Sequence, residues 1–201
     1  MITHNLFPTS VGVFSMDSEL TVDELNFVKD QDTMPNQLNA TSVDNYLFRQ
    51  PELARIREFC EKSVQEYFQT IYAPKHDVRP YITQSWSNYT NRGQGHHKHE
   101  HPNSVISGVF YVQAVKDVDR LYFFKSGYQQ IKLPTENYNL YNSESWWLGV
   151  ETGQLLLFPS SLTHQVAEVT TVDTRISISF NTFIKGHIGD DVDLTRLTVE
   201  V

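Results

Sequence analysis

At 201 residues with 39% apolar content, the chain is long enough to bury one substantial core. Its formal charge of −8 argues against a dedicated nucleic-acid partner, which would call for a basic face. The single cysteine, Cys60, excludes an internal disulfide, and no apolar run is long enough to span a bilayer, so a cytoplasmic protein with no membrane partner is expected.

Residues 6–9 and 11–14 open the chain as an edge strand carrying early apolar side chains. Thr21 and Glu24 have the spacing of a capping box ahead of Leu25 and Val28, which predicts a short helix. Residues 32–45 are mostly polar, with Pro35 and several asparagines, and are expected to form a long loop, either a plain surface connection or a lid. A longer helix starts near Pro51, where Leu53, Ile56, Phe59, Cys60, Val64, Tyr67, Phe68 and Ile71 recur at three- and four-residue steps. That stripe suits packing on a sheet and makes Cys60 a core residue. From residue 81 onward the pattern is one of short strands, at 82–89, 104–113, 120–124, 129–133, 146–150, 153–158, 165–170 and 175–184. Such spacing favours a jelly roll over alternating α/β units. Gly108, inside a strand, marks a place where a ligand or another backbone comes close. No repeat or linker divides the chain, so one domain is expected over 1–201. It comprises an N-terminal strand and helical support to residue 80, a jelly-roll core over 81–184 and a tail over 185–201, acidic near its start.

Half of the eight histidines fall between His96 and His101. Ligands at i and i+2 on an extended segment project to one side, and neutral imidazole suits Fe, Zn, Cu and Ni. Both His97 with His99 and His99 with His101 satisfy that spacing; the second pair leads directly into the apolar strand at 104–113 and is preferred. His164, at the end of the apolar run from Leu155, supplies a third ligand. Glu100 adjoins both histidines of the preferred pair and points to the opposite face. Further on, Arg175, Ser177, Ser179 and Asn181 share one face of a strand whose other face is Ile176, Ile178 and Phe180. A polar face turned into a barrel requires a partner, and a guanidinium forks onto a carboxylate.

In order and nearly every spacing, Tyr89, Gly93, Gln94, His99, His101, His164 and Arg175 resemble the Fe(II)- and 2-oxoglutarate-dependent oxygenases, most of all their prolyl-hydroxylase-like branch. The resemblance covers roughly residues 84–184. It implies a mainly β fold with supporting helices, a double-stranded β-helix of the jelly-roll, cupin-like kind. It also implies Fe(II) held by His99, His101 and His164, with 2-oxoglutarate as cosubstrate, O2 as oxidant and ascorbate as a possible helper. By the same resemblance Arg175 anchors the distal carboxylate of 2-oxoglutarate with Ser177, and Tyr89 or Tyr111 adds a hydroxyl. The product is a hydroxylated C–H bond of a small molecule or peptidyl residue, with succinate and CO2 released. Two departures stand out: His101 occupies the place of the usual aspartate, and Tyr89 lies one residue too far from Gly93. Trp86, Trp146 and Trp147 are expected either to rim the substrate site or to pack in the core.

Three histidines also suit a cupin-like metal enzyme that uses no oxo-acid, and a non-enzymatic jelly-roll binding or virion module is the remaining alternative. Neither substrate identity nor oligomeric state is legible in the sequence.

Overall fold

In the computed structural model, which describes residues 1–127, 131 and 133–200, two antiparallel sheets face one another and a helix covers the outer side of the larger sheet. In chain order the strands are β1 (Gly12–Ser15), β2 (Thr33–Asn36), β3 (Asn39–Ser42), β4 (Val78–Thr90), β5 (His96–His99), β6 (Ile106–Gln113), β7 (Arg120–Phe124), β8 (Ser145–Gly149), β9 (Gln154–Pro159), β10 (His164–Val166), β11 (Arg175–Ile188) and β12 (Leu197–Val199). The larger sheet runs β1-β9-β6-β11-β4-β3-β2, with β12 added to β11; the smaller runs β5-β10-β7-β8. Together they form a double-stranded β-helix.

Two apolar clusters lie on opposite sides of the larger sheet. Helix α2 (Ala54–Ile71) presses Ile56, Cys60, Val64, Tyr67 and Phe68 onto Phe110, Leu155, Leu157, Ile178 and Phe180. Between the sheets, Val109, Tyr111, Leu156 and Phe158 meet Leu121 and Phe123 of β7. Strands covered on both faces read as near-continuous apolar runs, as 155–158 does and as 106–112 does apart from Ser107 and Gly108. β11 departs from that rule. Ile176, Ile178 and Phe180 face the helix, while the equally buried Arg175, Ser177 and Ser179 line the space between the sheets.

The capping box forms as expected at α1 (Val22–Lys29), with Thr21 and Glu24 bonded reciprocally. The carboxylate of Glu24 also accepts from Arg55, joining α1 to α2. α2 is preceded by a 3₁₀ turn over Pro51–Leu53. Residues 32–45 are not a loop. They form the β2–β3 hairpin, which extends the larger sheet through Ala40 opposite Tyr89 and Thr41 opposite Asn88. β2 is exposed throughout, so it has no apolar alternation to betray it, and Pro35 is tolerated on an edge strand. Leu6 and Phe7, expected to pack, are exposed instead. The strand expected over 129–133 falls largely outside the described residues. Gly108 serves the core: a Cβ there would lie 2.1 Å from the ring of Phe180.

Candidate active site

The smaller sheet delivers the histidines. β5 and β10 pair with His99 opposite His164 and His96 opposite Val166, so three steps along β5 answer two along β10. This bulge breaks the two-residue alternation and turns His96 to the same side as His99. His96, His99, His101 and His164 all line a cavity between the sheets, together with Asn39, Trp86, Asn88, Thr90, Val109, Leu121, Val166, Arg175, Ser177 and Ser179. Among the described residues that lining holds no carboxylate. Its interior space is about 30 Å³, enough for an ion or a water-sized group, so a dicarboxylate enters only as the lining side chains part.

Two trios of imidazole nitrogens lie within 4.8 Å of one another, His96/His97/His99 and His99/His101/His164. The second has the geometry of a ligand set. His99 Nδ1 is 2.7 Å from the carbonyl of His97, and His164 Nδ1 is 2.9 Å from that of Leu162. Each Nδ1 therefore carries the proton, and each Nε2 presents a lone pair. His101 Nε2 lies 3.2 Å from His164 Nε2, with the rings 7° from parallel. Two imidazoles about 2.0–2.1 Å from one ion, at cis to tetrahedral angles, would have nitrogens roughly 2.8–3.4 Å apart, so the spacing fits a shared metal. Without an ion the pair is a hydrogen bond donated by His101. In the first trio, His97 does not line the cavity, and its carbonyl serves only to orient His99.

Burial keeps these rings neutral. It lowers His101 to about 3, with His164 and His99 adding repulsion, and His164 to about 4, with His99 next in effect. His99 is lowered for the same first reason, and His96 falls to about 3. Neutral imidazoles at physiological pH are ready to bind a metal without first losing a proton.

On the facing sheet, Arg175 is 4% exposed. It donates from Nη1 to the carbonyl of Arg120 at 3.0 Å and from Nη2 to Tyr111 Oη at 3.2 Å. No Asp or Glu among the described residues pairs with it, so a buried guanidinium carries an unanswered charge beside the histidines.

Residues 84–181 match the family model described as "Putative 2OG-Fe(II) oxygenase". Over that stretch, just under half of its length, the chain resembles the Fe(II)/2-oxoglutarate oxygenases. It is an oxidoreductase that uses Fe(II) and 2-oxoglutarate. No curated protein matches the oxygenase by sequence. Its fold is similar to that of HygX from Streptomyces hygroscopicus, solved with nickel, 2-oxoglutarate and hygromycin B bound; the two are 10% identical over 87% of this chain and 82% of that one, at a TM-score of 0.59. It is also similar to a Pseudomonas putida prolyl-4-hydroxylase, 13% identical over 86% and 92% of the two chains at 0.55. The epimerase SnoN from nogalamycin biosynthesis, with Fe3+ and α-ketoglutarate bound, reaches 0.60 at 8% identity over 87% and 79%.

Of the residues expected at the oxygenase site, the structure brings together His99, His101, His164, Arg175, Ser177 and Tyr111. Tyr89 is a correction. It faces the helix-side core, where its hydroxyl donates to Val28 O and accepts from Ser87, because odd positions at this end of β4 point away from the cavity. Glu100 turns outward and accepts from Thr163, as strand geometry demands. Trp86 stands beside His101, ring centroids 5.9 Å apart, whereas Trp146 and Trp147 are partly exposed on the edge strand β8. Sequence reasoning missed Asn39, Asn88, Thr90 and His96. For Asn88 and Thr90 the two-residue period shared with Trp86 was an available signal; for Asn39 there was none.

Proposed function

We propose that His99, His101 and His164 ligate the iron, that Arg175 grips the distal carboxylate of 2-oxoglutarate with Tyr111 and Ser177 beside it, and that the enzyme hydroxylates an unactivated C–H bond of a small molecule or peptidyl residue. The observation that carries this reading is the convergence of three neutral imidazoles facing a buried arginine that has no carboxylate of its own. Iron with its cosubstrate supplies the oxidising chemistry, in which 2-oxoglutarate and O2 yield succinate, CO2 and a hydroxylated product; ascorbate would serve to keep the iron reduced.

The chain's own contribution is positioning. The carbonyls of His97 and Leu162 fix the tautomer and tilt of two ligand rings, and the third rests near Trp86. Arg175 is itself held by the Arg120 carbonyl, so the fork it offers is already oriented. Apolar side chains at Val109, Leu121 and Val166 lower the polarity of the wall, which strengthens the guanidinium–carboxylate attraction. The presence of hygromycin B in HygX and the activity named for the prolyl-4-hydroxylase support a small-molecule or peptide substrate. A cupin-like enzyme without an oxo-acid would leave Arg175 without purpose.

Anaerobic titration of the protein with Fe(II) and then 2-oxoglutarate tests the assignment. A charge-transfer band that requires both additions, and is lost in His99→Ala and weakened in Arg175→Ala, is expected. A band insensitive to both substitutions would overturn it.

A further inference from the structure

Two buried polar groups of the cavity have no role in the account above. Asn39 and Asn88 are 6% and 5% exposed, both line the cavity, and the side-chain oxygen of each accepts no hydrogen bond among the described residues. Their NH2 groups are directed to the wall, Asn39 Nδ2 to Thr90 Oγ1 at 3.5 Å and Asn88 Nδ2 to Ser179 Oγ at 2.9 Å. An amide oxygen stripped of water and left unpaired costs about 1–3 kcal/mol, so a cavity bearing two of them is shaped around something that donates.

The pair sits on neighbouring strands, since β3 lies against β4 with Thr41 opposite Asn88. Asn39 falls outside the stretch matched by the family model and is brought in by the β2–β3 hairpin. The tip of that hairpin is tied to the histidine strand by a bond from Gly95 N–H to Leu38 O.

We propose that Asn39, together with Asn88, forms a subsite for a neutral hydrogen-bond donor of the primary substrate, an amide N–H or a hydroxyl, and so orients that substrate toward the three histidines. Neutrality follows from the lining. With Arg175 present and no carboxylate among the described residues, an ammonium would be desolvated beside a like charge, whereas an amide or alcohol exchanges water for the asparagine oxygens. The same oxygens repel a carboxylate, which separates this subsite from the cosubstrate anchor.

The inference rests on the oxygenase site proposed above, and its test keeps the two apart. Loading with Fe(II) and 2-oxoglutarate under argon is first verified by the charge-transfer band; failure there defeats the site assignment. On loaded protein, the paramagnetic relaxation enhancement of the methyl protons of acetamide is compared with that of acetone, a near-isostere without N–H groups. Acetamide is expected to be favoured about fivefold, the worth of one modest hydrogen bond, with the preference lost in Asn39→Leu. Asn39→Asp keeps the acceptor and should retain the preference while admitting ethylammonium, an arm that decides the matter if the leucine variant fails to fold. Equal enhancement of both probes in the wild type, as when only a fixed water serves the oxygens, would overturn the proposal. So would an unchanged ratio in a folded Asn39→Leu, or its loss in Asn39→Asp, which would mean that the NH2 groups face inward.

Discussion

His101 and His164 hold their Nε2 atoms 3.2 Å apart on rings 7° from parallel, although one lies in the segment after β5 and the other opens β10. The backbone N–H of His101 is tied to Ser160 O, so the approach is set by the chain path and not only by the rings. His101→Ala is therefore expected to weaken Fe(II) binding by more than the roughly 10–100-fold that losing a mere supporting hydrogen bond costs. His101→Asp, which restores the carboxylate usual at this place, should retain the metal. Competition with a coloured chelator measures both.

Arg175→Ala removes the charge that the cavity offers to a dicarboxylate. A charge-assisted hydrogen-bonded pair is worth about 1.5–3 kcal/mol, so KM for 2-oxoglutarate should rise on the order of 10- to 150-fold while metal content stays unchanged. Arg175→Lys keeps the charge without the fork and should fall between the two. Succinate formation across a 2-oxoglutarate series gives the comparison.

Gly108 lies opposite Phe180 in the β6–β11 ladder, and an added Cβ would meet three atoms of that fully buried ring at 2.1–2.5 Å. Phe48, with its ring centroid 5.6 Å away, limits how far the Phe180 ring can retreat. Gly108→Ala should cost about 1–3 kcal/mol of stability in urea denaturation, as overpacked cores do, without disturbing the histidine cluster.

Acid should erode the link between the two helices. Burial alone would raise the Glu24 carboxyl, but hydrogen bonds from Arg55 and Thr21 outweigh it and hold the group below its ordinary value of 4.5. A carboxyl lowered in the folded state stabilises fully above its unfolded value and ceases to do so as pH falls through the lower folded one. Glu24→Gln preserves the capping box, so its deficit reports the ion pair. Because Arg55 is more than a third exposed, that deficit should be only about 1 kcal/mol at pH 7. It should vanish when melts are repeated well below pH 4.5.

The parts of this fold that bury a regular stripe were legible before the structure. Helix α2 announced itself through the spacing of Ile56, Cys60 and Val64, and β7 falls at the residues expected because Leu121 and Phe123 alternate with more exposed neighbours. Elements without a buried apolar face were not legible. β2 is exposed along its length, and β12 joins the sheet through three residues at the end of a polar stretch. At the site, the convergence of His99, His101 and His164 could be expected because the two-residue spacing of the first pair survives in sequence. His96 could not be added, because a bulge between β5 and β10 overrides the alternation that would have turned it away. Asn39 is brought to the cavity by the pairing of β3 with β4, a long-range contact that leaves no local trace.

Three anchoring contacts of the site end on main-chain oxygens: His99 on residue 97, His164 on residue 162 and Arg175 on residue 120. A peptide carbonyl persists whatever side chain its residue bears. Positions 97, 120 and 162 thus hold these bonds through atoms that no substitution removes, and Arg120 directs its own side chain elsewhere, onto the ring of Trp147. Reactivity in this architecture is inherited from where the chain runs, leaving the exterior free to be rewritten for new clients.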